Sequence, residues 1–143
     1  MKSKDVTRGG GTVHAMIFET GDEVMAALRK FAAERKIRAG RFTAIGAFKS
    51  AKLAYFDWET KQYDELPVAE QVEVLVLTGD FALKDGKPEP HVHVVLGRRD
   101  GSTCGGHLCE AIVRPTLELM LETSGVLERR FDSESGLALI APE

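Results

Sequence analysis

Cysteine is scarce in this chain. Cys104 and Cys109 are the only two, and they lack the C-x-x-C spacing of a redox pair or zinc knuckle, so reduced thiols are expected. No apolar run approaches the ~20 residues that a membrane span needs. Nor does a hydrophobic region follow the charges of Met1-Lys2-Ser3-Lys4-Asp5-Val6, which leads to the expectation of a cytoplasmic protein with no membrane partner. An excess of positive charge is also missing: Lys and Arg number 19 against 22 Asp and Glu, a net charge of −3. With no basic tail, neutralising nucleic-acid phosphates is not the expected main task. There is no Ser/His/Asp arrangement and no phosphate-cradling glycine loop with a lysine. Gly9-Gly10-Gly11 follows no strand, so it is not a dinucleotide fingerprint.

Histidine is scarce too, yet three of the four lie within 17 residues, His91, His93 and His107. In a strand, the two histidines of Pro90-His91-Val92-His93-Val94-Val95-Leu96-Gly97 leave one face, and Val92, Val94 and Leu96 leave the other. The valine face reads as core. On the histidine face, two imidazoles side by side and a third from a neighbouring element make an open metal site for zinc or another divalent transition metal. Gly105-Gly106 allows close backbone approach just before His107. The plainer alternative is a polar strand face carrying ordinary surface histidines. Cys104 and Cys109 are candidates for the wall of such a site.

At 143 residues, 43% hydrophobic and 29% charged, the chain fits one soluble domain with one core. Residues 1–8 read as a flexible arm leading into the three glycines, and residues 9–143 as a single domain. Thr12 to Glu19 reads as a strand in which His14 is a hydrogen-bonded strand histidine. Thr20 and Glu23 have capping-box spacing, and Val24, Ala27, Leu28, Phe31 and Ala32 recur at helical period, giving a helix over 22–36. Gly40 is the expected left-handed turn residue after it. Arg29, Lys30, Arg35, Lys36, Arg38 and Arg41 read as the solvated face and end of this helix rather than a nucleic-acid patch.

Beyond Gly40 the period becomes two. Strands are expected at 41–48 and 52–58, joined by a hairpin or corner, and at 62–66, broken by Pro67. Val72 to Leu83 reads as a central strand buried on both faces, with a bulge at Gly79. Asp85-Gly86 signals a hairpin into the histidine strand, and Arg98 to Gly101 a second turn. Leu117, Leu119 and Leu121 alternate with polar residues, which favours a strand over a helix. A hairpin around Asp132 to Ser135 closes the chain. The fold class is α+β: a mostly antiparallel, strongly curved sheet with one main helix.

The P-H-V-H-V-V-L-G run, the D-G turn, G-G-H-L and the following T-x-E-L resemble the plant-and-prokaryote-conserved (PPC) domain. So do G-x-V-H, R-F-T-A-I-G-A-F and the closing L-E-R-R-F-D-x-x-S-G-L; the resemblance covers roughly residues 8–141. It implies a homotrimer with sites near subunit boundaries. In plants the domain follows AT-hook segments of nuclear DNA-binding proteins, so a DNA-associated role is implied. The AT-hook core R-G-R-P is absent here, and by charge any DNA binding by this chain is weak. The fold is similar to that of acetolactate decarboxylase, where an H-x-H and a later histidine hold zinc; His91, His93 and His107 stand at the matching positions.

Two functions follow. One is a trimeric zinc-binding module with a DNA-associated or regulatory role. The other is a small zinc-dependent enzyme acting on a carbonyl or carboxylate small molecule, with the metal polarising a carbonyl or activating water. In the second, Arg41 holds a carboxylate and Glu110 or Glu118 shuttles a proton. Ordinary surface charge is the plain alternative for all three.

Overall fold

A computed structural model describes residues 1–8 and 11–141 of the chain. Its order is β1 (Lys2–Arg8), β2 (Gly11–Glu19), α1 (Val24–Glu34), β3 (Ala39–Asp57), β4 (Gln62–Val68), β5 (Val72–Lys84), β6 (Lys87–Gly97), β7 (Thr103–Thr123), β8 (Arg129–Phe131) and β9 (Ala138–Ile140). Seven strands form one antiparallel sheet in the order β1-β2-β7-β6-β5-β3-β4, and β3 also pairs with β7. That extra pairing closes β3, β5, β6 and β7 into a ring. The curvature of the sheet has this cause. β8 and β9 form a separate hairpin.

Alternation explains the core. Val92, Val94 and Leu96 of β6 and Leu117, Leu119 and Leu121 of β7 all point inward and are buried. They meet Phe18, Phe42, Phe48 and Phe81 and the apolar stripe of α1, Val24, Met25, Leu28, Phe31 and Ala32. His14 is buried as well, edge-on to Phe31 at 5.4 Å between ring centroids, away from the other histidines.

Several local expectations are corrected. The backbone of Lys2–Arg8, read as an arm, pairs with β2; Gly9 and Gly10 lie outside the described residues. The helix cap is Glu23, not Thr20. The Glu23 carboxylate accepts from the N–H groups of Met25 (3.0 Å) and Ala26 (2.6 Å), and from Ala111 of β7 (3.1 Å), which ties the helix start to the sheet. The left-handed residue ending the helix is Lys36 (φ 53°), with Ile37 N–H reaching back to the Ala32 carbonyl; Gly40 is already inside β3. The two strands expected over 41–58 are one strand that turns a corner through register shifts between Gly46 and Ser50. β7 likewise runs unbroken through Pro115, and Pro67 is tolerated because β4 is an edge strand without a second neighbour. β5 is not buried on both faces within this chain: Leu75 and Val76 are exposed. Its irregularity falls between Val74 and Val76, while Gly79 stays in register with Val92.

Candidate metal centre

The site is built on adjacent strands. β6 presents His91 and His93 on its outer face, and β7 places His107 directly across from His93. The glycines before His107 make this pairing possible. A Cβ on Gly105 would lie 2.6 Å from the Val94 carbonyl oxygen, and one on Gly106 2.8 Å from that of Ala54, distances that a side chain does not tolerate. With β7 drawn in between β6 and β3, the three imidazoles converge. Ring centroids are 4.9 Å apart for His91 and His93, 5.1 Å for His91 and His107, and 5.6 Å for His93 and His107. One ring nitrogen from each lies within 4.8 Å of the other two.

The electrostatics favour the neutral form of two of these rings, His107 and His91. Burial, then His91 and His93, lower the His107 pKa to about 4. His91 is also lowered, first by burial, then by His93 and the Arg129 guanidinium, with Asp80 opposing. Neutral imidazoles keep lone pairs for a cation. His107 Nδ1 is buried and has no hydrogen-bond partner, a cost of about 1–3 kcal/mol unless something meets it. Three close imidazole nitrogens, on rings of which one also carries an unmet Nδ1, fit a divalent transition metal held by three protein ligands.

Around the histidines lies a cleft of about 440 Å³. It is lined by His91, His107 and Cys109, by Tyr63 of β4, by Met25 and Arg29 of α1, by Lys84 and Glu89 of β5 and β6, and by Leu137, Ala138 and Leu139 of the β8–β9 hairpin. Tyr63 leans over His107, ring centroids 5.0 Å apart; burial, and then Cys109, push its hydroxyl pKa up. Arg29 is held by Glu89 at 2.9 Å. Arg129 of β8 pairs with Asp80 of β5, which stands beside His91 in the sheet. His93 opens the other way, onto a shallow surface shared with Val76, Thr78 and Val95.

The other sequence candidates stand apart from this cleft. Arg41 is exposed and paired with Glu122 at 2.8 Å. Glu110 sits beside Lys52 and Ala51 on a separate cleft, and Glu118 pairs in the sheet with Ile17 and Ile45 on the outer face. Sequence reading missed Arg129, Asp80 and Tyr63. None lies near the histidines in the chain, and none carries a local signal; the L-E-R-R-F-D run entered only through the resemblance.

Among solved structures, the chain is similar to the metal-containing protein AF0104 from Archaeoglobus fulgidus, with 34% identity over 99% of this chain and 97% of that one, TM-score 0.85. It is also similar to a candidate DNA-binding protein from Bacteroides thetaiotaomicron (28% identity, 97% and 96% coverage, TM-score 0.87). A Staphylococcus aureus protein similar to alpha-acetolactate decarboxylase shares the fold alone, at 10% identity and TM-score 0.58 over 78% of this chain and 52% of that one. A stretch of 128 residues, 88% of the chain, is 29% identical to the bifunctional protein GlmU of Synechococcus, and the chain spans 19% of that protein's length. The profile of the Plants and Prokaryotes Conserved (PCC) domain matches residues 6–124, a span that holds the helix, the closed ring of strands and all three converging histidines. The chain therefore belongs to that family, the one which its histidine strand and G-G-H-L run resemble.

Proposed function

We propose that this protein is a divalent-metal-binding module, zinc being the expected ion, in which His91, His93 and His107 are the protein ligands. The convergence of three imidazole nitrogens within 4.8 Å carries this reading, and the metal-containing relative from Archaeoglobus supports it. Residues 9–143 act as its single domain. With three protein ligands, a tetrahedral ion keeps one position for water or a ligand. Metal analysis of the purified protein before and after chelation tests the reading. About one ion per chain is expected, lost with His93→Ala; no metal in either sample overturns it.

The module acts as a homotrimer. Ile17, Ile45 and Met120 stand out from neighbouring positions of β2, β3 and β7, and Val76 and Val95 continue the apolar surface to His93. Such a surface is normally covered by a partner, and its arrival at His93 supports a site beside the subunit boundary. A DNA-associated or regulatory role fits the relative from Bacteroides, but a net charge of −3 makes generic duplex binding weak at physiological salt.

A second reading, a zinc-dependent enzyme acting on a carbonyl or carboxylate small molecule, draws support from the cleft beside the histidines. Arg41, Glu110 and Glu118 take part in such chemistry only if a neighbouring copy brings them to a cleft.

A further inference from the structure

Arg129 is one of three cations that line the cleft, with Arg29 and Lys84. Its side chain is 8% exposed, although an arginine is rarely buried without full pairing. A guanidinium has five N–H donors. Asp80 takes one of them, and the guanidinium makes no other hydrogen bond among the described residues. The guanidinium acts electrostatically on His91 and lines the same cleft as His91 and His107. By contrast Arg29 is spent on Glu89, with contacts of 2.9, 3.1 and 3.4 Å. Lys84 and Glu89 add charge of both signs to the lining, and its hydrocarbon part includes Leu108, Leu137 and Leu139, the last of them 45% exposed and so available to be covered.

We propose that the cleft binds a small carboxylate whose oxygens are shared between the free donors of Arg129 and the metal held by the three histidines, with its hydrocarbon end against Leu137 and Leu139. This rests on the metal reading above. The planar fork of a guanidinium matches a carboxylate edge. A carboxylate carries a hydrocarbon end that the leucines can cover, whereas a phosphate would bury oxygens against them unmatched, which is costly. The volume, about 440 Å³, is at the small end of ligand clefts. Arg129 also fastens the β8–β9 hairpin to β5 through Asp80, and a purely structural role for it predicts different results below.

The experiment uses the full chain loaded with Co²⁺, whose visible bands report ligand changes at the ion. Propionate is titrated, with propionamide and inorganic phosphate as comparisons. Propionate is expected to shift the bands saturably and propionamide to leave them unmoved at equal concentration. Arg129→Gln should weaken propionate by about tenfold or more at unchanged cobalt content, since a charge-assisted pair is lost. Arg129→Lys, which keeps charge but not the fork, should fall between them. If Arg129→Gln does not fold, by circular dichroism, the propionate-to-propionamide contrast in the wild type still decides. Cobalt bands that ignore propionate, respond equally to propionamide, respond more tightly to phosphate, or shift identically in folded Arg129→Gln overturn the proposal while leaving the metal site intact. Absence of bound cobalt overturns the metal reading itself.

Discussion

His93 of β6 and His107 of β7 are direct cross-strand partners, their rings nearly perpendicular at 86° with centroids 5.6 Å apart. The hairpin between these strands turns a same-face H-x-H pair into a three-nitrogen cluster, because His107 arrives opposite the second histidine rather than beyond it. The ring of strands behind supplies a rigid support, and the packing of Val92, Val94 and Leu108 does not depend on the ligands.

Replacing His93 by Ala should therefore abolish metal binding at small cost to the fold. His93 is exposed, and exposed substitutions outside special contacts usually change stability by less than about 0.5 kcal/mol. Metal content together with denaturant unfolding of the metal-free protein checks both halves. A loss of several kcal/mol would show that the ring is part of the packing.

Acid should act in a defined window. The folded pKa of His107, about 4, lies below its ordinary 6.5, and that of His91 is lowered too. The folded state then binds fewer protons than the unfolded one. Its stability contribution is complete above about pH 6.5 and is lost as pH falls toward 4. Metal-free protein should lose thermal stability across this window, and His107→Gln should lose less of it. Metal retention should persist below 6.5 for the same reason, since protons compete late. Retention that ends near 6.5, as for a free imidazole, would contradict the burial argument.

Gly105→Ala should damage the site from outside the ligand set. The added Cβ would meet the Val94 carbonyl oxygen at 2.6 Å, so β6 and β7 must separate next to the His93–His107 pair. A destabilisation of about 1–3 kcal/mol is expected, as for overpacking elsewhere, together with weaker metal binding at equal pH. Competition against a chromophoric chelator measures the second effect; unchanged affinity would mean that the strand pair absorbs the methyl group.

Assembly can be tested on the outer face. Ile45, 63% exposed, lies in the sheet between neighbours of β7 and β5, and Ile45→Lys should convert a trimer to monomers by placing a charge in an apolar interface. Light scattering at micromolar concentration should give a trimer mass for the wild type. A monomer for both proteins would remove the trimer and leave the metal site untouched.

The sequence by itself determined what depends on neighbours along the chain. Period-two alternation sent Val92, Val94 and Leu96 inward and the two histidines outward. The Asp85-Gly86 turn set the hairpin, with φ of 52° and 74°, and Gly105-Gly106 marked a close approach before the third ligand. Helical spacing located α1, though not its cap, because a carboxylate at Glu23 competes with Thr20 and wins by also bonding Ala111 of β7. Only the tertiary structure decided what depends on registers between distant strands. The return of the chain along the end of β5, where Leu83 bridges to Glu128, brings Arg129 to Asp80 across 49 positions, and the pairing of β3 with both β4 and β7 leans Tyr63 over His107. It also leaves Arg41 outside with Glu122, across 81 positions. Periodicity reports which face a side chain takes, and that is a local property. Which residues share a cleft is set by strand order and sheet curvature, and these arise from burying one core among all the strands together.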